Sequence, residues 1–132
     1  MSDASIPEGL KYTKDHEWAK IEGGEIVVGI TRFAVEQLGD ITLVNFDAKE
    51  GADIDEGKAL GSIESVKSVS DIFAPAAGKL TKINRDVEQK PELVNEDPYG
   101  KGWLARIAVS DAKSLDALLD AAAYAEHVKS SS

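Results

Sequence analysis

Residues 63–72 constrain this chain most, because their sequence, IESVKSVSDI, reads almost identically from both ends about the step from Lys67 to Ser68. Two runs rich in β-branched residues and joined by two polar residues are typical of a β-hairpin. Since neither joining residue is Gly or Asn, we expect a type I turn rather than a primed turn. The pattern therefore predicts a hairpin with Lys67 at its tip and with Glu64 opposite Asp71.

The predicted hairpin displays the amine of Lys67. Two like charges facing each other across a ladder cost roughly 0.2–1 kcal/mol, and this cost favours a functional reason for the arrangement. A lysine in a turn is in most proteins simply solvated, which is the competing interpretation. Nearby carboxylates favour the charged ammonium, whereas a Schiff-base lysine must be neutral to react. We therefore interpret Lys67 as a residue that a dedicated enzyme modifies once, removing its charge as an amide.

The charge of the chain excludes several classes of partner. It has 15 basic and 24 acidic residues, which give a net charge of −9. Nucleic acid and anionic lipid would be repelled by such a surface, so we expect neither as a partner. No apolar run has membrane-spanning length, and the first residues lack the basic and apolar regions of an export or transit signal. We expect a monomer in the bacterial cytoplasm, with a processed mitochondrial form as the alternative.

Few residues remain that could carry other chemistry. The chain contains no cysteine, so a disulfide, a thiol nucleophile and a thiolate metal site are excluded. The two histidines, His16 and His127, are far apart in sequence and fit neither zinc-site nor triad spacing. Because no nucleophile, base and orienting group can be assembled, we expect neither a metal site nor an enzyme.

The pattern of apolar residues predicts a mainly β fold. The 132 residues are expected to form one domain, with a β core at about 11–109 and a C-terminal helix at 111–128. A short helix is predicted at 32–38, capped by Thr31 and ended by Gly39, and one helical turn near Leu93 is expected within an irregular segment at 85–102. About seven short strands favour a small barrel or sandwich, and they are predicted at residues 12–21, 25–30, 41–46, 59–66, 69–73, 79–84 and 103–109.

Five sequence blocks occur in an order that resembles one known family. The sequence ESVK at 64–67, followed by SD at 70–71, AP at 74–75 and Gly78, resembles the lipoyl attachment hairpin of the glycine cleavage system H protein family. The other blocks are YTKDHEW at 12–18, VGIT at 28–31, QLGD at 37–40, and the group PELVN, DPYG and GWL within 91–104. Together the blocks extend the resemblance over most of the chain.

The resemblance implies a lipoyl-domain fold, that is, a flattened barrel or barrel-sandwich hybrid of two small sheets with short helices and a C-terminal helix. It implies a carrier without a catalytic centre, in which lipoate is amide-linked to Lys67 on the turn formed with Glu64, Ser65, Val66 and Ser68. A lipoyl transferase or ligase attaches the lipoate in this family. A pyridoxal-phosphate glycine decarboxylase then loads the arm with an aminomethyl group, a tetrahydrofolate-dependent aminomethyltransferase removes it, and the FAD enzyme dihydrolipoyl dehydrogenase reoxidises the dithiol.

The cargo of such an arm is a cationic amine that is prone to hydrolysis, so we expect carboxylates to hold it away from bulk water. The candidates are Glu17, from the HEW sequence, and Asp71, and His16 is a further candidate because it precedes Glu17. The competing interpretation of Glu17 is an ordinary exposed strand residue.

Three related functions compete with the glycine cleavage carrier. A biotin carrier usually has methionines on both sides of its lysine, whereas Lys67 lies between Val66 and Ser68 and the single methionine is Met1. A lipoyl domain of a 2-oxoacid dehydrogenase usually has an aspartate before the lysine and belongs to a longer chain with several domains. A lipoate depot that donates lipoyl groups to other enzymes would have the same sequence features, so the sequence leaves that alternative open.

Overall fold

The structure, a computed structural model, describes residues 6–131 and contains two antiparallel β-sheets around a shared core. Residues 1–5, which begin the segment expected to carry no targeting signal, and Ser132 lie outside the described residues. The strands are β1 (Lys11–Tyr12), β2 (Glu17–Glu22), β3 (Glu25–Ile30), β4 (Ile41–Phe46), β5 (Asp53–Ile54), β6 (Ala59–Ser65), β7 (Val69–Phe73), β8 (Gly78–Ile83) and β9 (Ala105–Val109). The helices are α1 (Arg32–Leu38), α2 (Asp86–Gln89), α3 (Glu92–Glu96), a 3-10 helix (Ala112–Ala117) and α4 (Ala121–Ser131).

The two sheets have linear strand orders. The larger sheet runs β1-β2-β3-β9-β8-β5, and the smaller sheet runs β4-β6-β7. All neighbouring strands in both sheets are antiparallel. The predicted mainly β fold of two small sheets with short helices is therefore confirmed, and neither sheet closes on itself.

The core lies between the two sheets. Ile26 and Val28 of β3 and Ile107 of β9 contribute from the larger sheet, while Ile63 of β6 and Ile72 of β7 contribute from the smaller one. All five side chains are at most 1% exposed. Burying a side chain of this size stabilises the fold by roughly 1.5–3 kcal/mol, so the hairpin of β6 and β7 is held firmly on the core.

Helix α1 forms where the sequence predicts it. The Thr31 hydroxyl accepts a hydrogen bond from the Ala34 N–H at 3.2 Å, which caps the helix, and Thr31 itself is extended. Gly39 ends the helix with a φ of 80°, a left-handed conformation that favours glycine. Val35 and Leu38 are buried, so the helix is anchored to the core and its end is fixed in position.

The strand predicted at 12–21 is interrupted, which corrects the prediction. The Thr13 hydroxyl accepts hydrogen bonds from the backbone N–H groups of Asp15 and Glu17, both at 3.2 Å. His16 closes the turn with a φ of 69°, and its N–H donates to the Thr13 carbonyl at 3.2 Å. These local bonds compete with the strand ladder, so β1 ends at Tyr12 and β2 begins at Glu17.

The helix predicted at 111–128 is also wrong as a single element. A 3-10 helix ends at Ala117, and Leu119 then pairs with Tyr12 through two backbone hydrogen bonds of 2.7 and 2.8 Å. After this break, α4 packs Tyr124 against Tyr12, with the two rings stacked 4.6 Å apart. The backbone pairing with β1 keeps Leu119 out of a helix, although the local sequence has the apolar spacing of a helix.

Two smaller differences concern short elements. The segment 85–102 contains the two short helices α2 and α3 instead of one turn. The two-residue strands β1 and β5 raise the number of strands within residues 6–131 to nine. Strands of two residues are too short to produce a recognisable alternation. None of the helices within residues 6–131 has the length and apolar content needed to cross a bilayer.

Candidate functional site

Strands β6 and β7 meet at a four-residue turn from Ser65 to Ser68, with Val66 and Lys67 at its centre. The Ser65 N–H donates to the Ser68 carbonyl at 2.8 Å. The Ser65 hydroxyl accepts from the N–H groups of Lys67 and Ser68, both at 3.1 Å, and contacts the Ser68 carbonyl at 3.2 Å. This serine fixes the turn through its side chain, so the turn needs neither glycine nor asparagine.

The register of the hairpin differs from the prediction. Glu64 pairs with Val69, and Asp71 pairs with Ser62, so the predicted opposition of Glu64 and Asp71 is wrong. The turn itself is centred on Val66 and Lys67 instead of Lys67 and Ser68, because the Ser65 hydroxyl organises the residues that follow it. The pairing has shifted by two residues, so each side chain projects from the same face of the sheet as it would in the predicted register.

The residues that follow helix α1 support the turn through a backbone hydrogen bond. The Val66 N–H donates to the Asp40 carbonyl at 3.1 Å. A Cβ atom placed on Gly39 would lie 3.5 Å from Val66 Cγ2 and 3.6 Å from Lys67 Cε, both ordinary van der Waals distances, so the lysine stem lies close to Gly39. The Lys67 side chain as a whole remains exposed. A rigid platform therefore holds one exposed primary amine.

Asn95 fixes this platform, although no role was predicted for it from the sequence. Its Oδ1 accepts from the Ile41 N–H at 2.8 Å, and its Nδ2 donates to the Gly39 carbonyl at 3.0 Å. The Arg32 guanidinium in turn donates to the Asn95 carbonyl at 2.8 Å. The PELVN block contained this residue, but a contact between positions 54 residues apart leaves no local sequence pattern by which its role could be found.

Glu17 is a buried carboxylate, 1% exposed, so its interpretation as an exposed strand residue is wrong. One carboxylate oxygen accepts from the Phe73 N–H at 2.7 Å, and the other accepts from the Thr13 hydroxyl at 3.0 Å. Burial raises the pKa of Glu17 to about 7, against the opposing effect of the two hydrogen bonds. The residue therefore links β2 to the end of β7 and changes charge near neutral pH.

A cavity of about 220 Å³ lies beside Glu17. Asp71, which is exposed, lies on β7 between Lys67 and Phe73 at the cavity. Six residues of extended chain separate Lys67 from Phe73, so the backbone positions of the two residues are at most about 20 Å apart. A carboxylate has about four acceptor positions, so Glu17 retains capacity for another donor. The lining residues include Tyr12, Thr13, Glu17, Phe73, Pro75 and Leu118.

The structure does not bring His16 to Glu17's cavity or to Lys67. The His16 Nδ1 lies 2.8 Å from the Tyr124 hydroxyl, and its ring centroid lies 4.7 Å from that of Phe33 and 5.4 Å from that of His127. Burial lowers the pKa of His16, and His127 lowers it further. The side chain of His16 thus packs against α4 and contributes to holding that helix on the sheet.

Comparisons with known proteins agree on one family. The Glycine cleavage H-protein family profile matches residues 10–131. The chain is 52% identical over 120 residues to the glycine cleavage system H protein of Magnetococcus marinus, covering 91% of this chain and 85% of that protein. It is 48% identical over 124 residues to the protein of the same name from Myxococcus xanthus, covering 94% and 95%. The crystal structure of a glycine cleavage system H protein from Mycobacterium marinum superposes with a TM-score of 0.85 at 38% identity, covering 94% of this chain and 99% of that one.

Proposed function

The chain belongs to the glycine cleavage H-protein family, and on that premise we propose that it is the lipoyl carrier of the glycine cleavage system, with lipoate amide-linked to Lys67. The observation that supports this assignment is the exposed amine at the centre of a turn that is bonded to the end of α1. A flexible arm on a rigid turn raises the local concentration of its reactive end at each docked partner.

The residues around Lys67 fit an attached arm. When bound, the lipoyl group supplies a disulfide that accepts a one-carbon amine and is restored by oxidation. Ser65 and the Asp40 carbonyl fix the base of the arm, and the lysine stem lies close to Gly39. The chain has no cysteine, so it contains no thiol of its own that would compete in thiol–disulfide exchange.

We propose that Glu17 and Asp71 hold the far end of the arm. The buried aromatic residue Tyr12 lines the cavity beside Glu17. Two hydrogen bonds hold the Glu17 carboxylate in place. A cationic amine in the cavity favours the ionised form of Glu17, whose pKa burial raises to about 7. Asp71 lies on β7 between the turn and the cavity and adds a second negative charge. His16 is left out of this proposal because it faces α4.

The proposed partners are the enzymes that attach, load, unload and reoxidise the arm. They are a lipoyl transferase or ligase, a pyridoxal-phosphate glycine decarboxylase, a tetrahydrofolate-dependent aminomethyltransferase and the FAD enzyme dihydrolipoyl dehydrogenase. The chain itself is proposed to be a non-catalytic monomer with one carrier domain spanning 1–132. The relatives named above are bacterial, and on that basis alone we propose the bacterial cytoplasm as its location. The same relatives do not favour the lipoate-depot or 2-oxoacid dehydrogenase alternatives.

A reconstituted assay tests the proposal. The lipoylated chain is mixed with purified decarboxylase, aminomethyltransferase, dihydrolipoyl dehydrogenase and tetrahydrofolate, and release of labelled carbon dioxide from carboxyl-labelled glycine is measured. We expect release that depends on this chain, and we expect none above background from Lys67→Arg. Equal release with the Arg variant would show that Lys67 does not carry the arm.

A further inference from the structure

Three apolar side chains stand exposed beside Lys67, and we call them the tip patch: Leu43, Val66 and Val69. They are 42%, 66% and 65% exposed, respectively. Leu43 pairs with Glu64 across β4 and β6, and Glu64 pairs with Val69 across β6 and β7. Directly paired residues project from the same face of a sheet, so two apolar side chains flank one carboxylate in a single row next to the turn.

The strands that form the tip patch carry charges of one sign, in contrast to Lys67 in the turn. Strands β4, β6 and β7 contain the acidic residues Glu64 and Asp71 and no lysine or arginine. The row behind the patch consists of Asn45, Ser62 and Asp71, which are paired across the three strands. A complementary surface is therefore apolar at its centre and carries arginine or lysine at its rim.

The reach of the unmodified lysine points to one kind of partner. Before an arm is attached, the amine extends only as far as one lysine side chain, whose stem lies over Gly39. An enzyme that acylates this amine must therefore contact the surface immediately around the turn. Enzymes that act on the far end of an attached arm have no such requirement.

We propose that the tip patch is the docking surface of the enzyme that attaches lipoate to Lys67. This inference rests on the proposed function of Lys67 as the attachment site. The partner surface is apolar with a basic rim, and the acidic residues Glu64 and Asp71 steer its approach. Docking on the patch holds the turn so that the amine enters the active site of that enzyme.

The acylation consumes an acyl adenylate made from lipoate and ATP. The Lys67 ammonium first loses a proton to a base, and its Nζ then attacks the carbonyl carbon of the adenylate. The new C–N bond forms as the bond between that carbon and the phosphate oxygen breaks, and AMP leaves with the electron pair. Nζ releases a second proton, which leaves a neutral amide, and no atom is oxidised or reduced.

The test uses substitutions that preserve strand propensity. Leu43→Thr combined with Val69→Thr removes apolar surface from the patch and keeps β-branched residues in both strands. Ile21→Thr is the matched control, since Ile21 is 48% exposed on β2 of the other sheet. The unmodified full-length proteins are incubated with a lipoate–protein ligase, ATP and lipoate, and intact mass is followed with time. We expect kcat/KM to fall about tenfold or more through a higher KM in the double variant, and to change less than twofold in the control.

A charge reversal tests the acidic part of the surface. Glu64→Lys is expected to raise KM and to weaken its dependence on ionic strength, because steering by that carboxylate is lost. Glu92→Lys, at an exposed position on α3, changes the net charge equally and serves as its control. Circular dichroism verifies that each variant is folded, and Val66→Thr, which lies in the turn outside the strands, replaces the double variant if that one is unfolded.

The outcomes separate the docking inference from the proposed function. Lipoylation of the double variant and of Ile21→Thr at equal rates would overturn the docking inference and leave Lys67 as the attachment site. The inference is likewise overturned if only the later loading by glycine decarboxylase is slowed. If the unsubstituted protein is not modified at Lys67, the proposed function itself fails.

Discussion

The stability of this protein should depend on pH through Glu17, and Glu17→Gln isolates that dependence. The side chain is 1% exposed. Glutamine has nearly the same shape as glutamate, but its amide does not ionise, so this position keeps the same charge at every pH in the variant. The glutamine oxygen can still accept from the Phe73 N–H, and its NH2 group lies beside the Thr13 hydroxyl. The altered bond to Thr13 adds a cost that does not vary with pH, so the test depends only on the difference between pH values.

The magnitude follows from the shift in pKa. Burial raises the pKa of Glu17 from 4.5 to about 7 in the folded protein. Because the folded-state pKa is raised, the stabilisation is fully present below pH 4.5 and is lost as the pH rises through 7. A shift of about 2.5 units corresponds to at most about 3.4 kcal/mol, and roughly 2.6 kcal/mol of it is lost between about pH 5 and pH 9.

Urea unfolding of both proteins at several pH values is the assay. The free energy of unfolding of the unsubstituted protein should fall relative to that of Glu17→Gln by about 2–3 kcal/mol between about pH 5 and pH 9, with most of the fall below about pH 7. Titrating groups that both proteins contain cancel in the difference when they do not couple to Glu17. Parallel curves over that range would refute the assignment of Glu17 as a buried carboxylate with a raised pKa.

Three further predictions concern the turn, its platform and the core. Lys67→Arg should abolish lipoylation, seen by intact mass, with a Tm within about 2 °C of the unsubstituted protein, because an exposed tip has few packing contacts; a large loss of Tm would contradict the exposed turn. Asn95→Ala should cost about 1–3 kcal/mol and speed hydrogen exchange at the Ile41 N–H, and unchanged exchange there would count against the platform. Gly29→Ala should cost about 1–3 kcal/mol in urea unfolding, because the new Cβ would lie 2.5 Å from the Trp18 ring, whereas Gly24→Ala, with no atom within 4 Å, should be nearly neutral; equal stabilities would refute this packing argument.

The sequence predicted elements that local bonds determine. Helix α1 has its cap and its terminating glycine within its own segment, so both could be recognised. The hairpin at Lys67 was recognised from its two β-branched runs, but its register depends on the Ser65 hydroxyl, which can organise the turn in more than one way. A prediction from propensity alone therefore found the hairpin and misplaced its turn by one residue.

Features set by distant contacts could not be predicted. The helix expected at 111–128 breaks because the backbone of Leu119 pairs with Tyr12, more than 100 residues earlier. The burial of Glu17 depends on its position against Phe73, and charged residues are almost never fully buried. Asn95 likewise joins the site through contacts between distant positions, because its side chain bonds to backbone groups on either side of Asp40.

Peptide mass spectrometry of the protein purified from its own source tests the central claim most directly. The account predicts a lipoyl-sized mass increment on the peptide that contains Lys67, and no such increment on peptides that contain the other lysines. A biotin-sized increment at Lys67, or a lipoyl increment at another lysine, would contradict it.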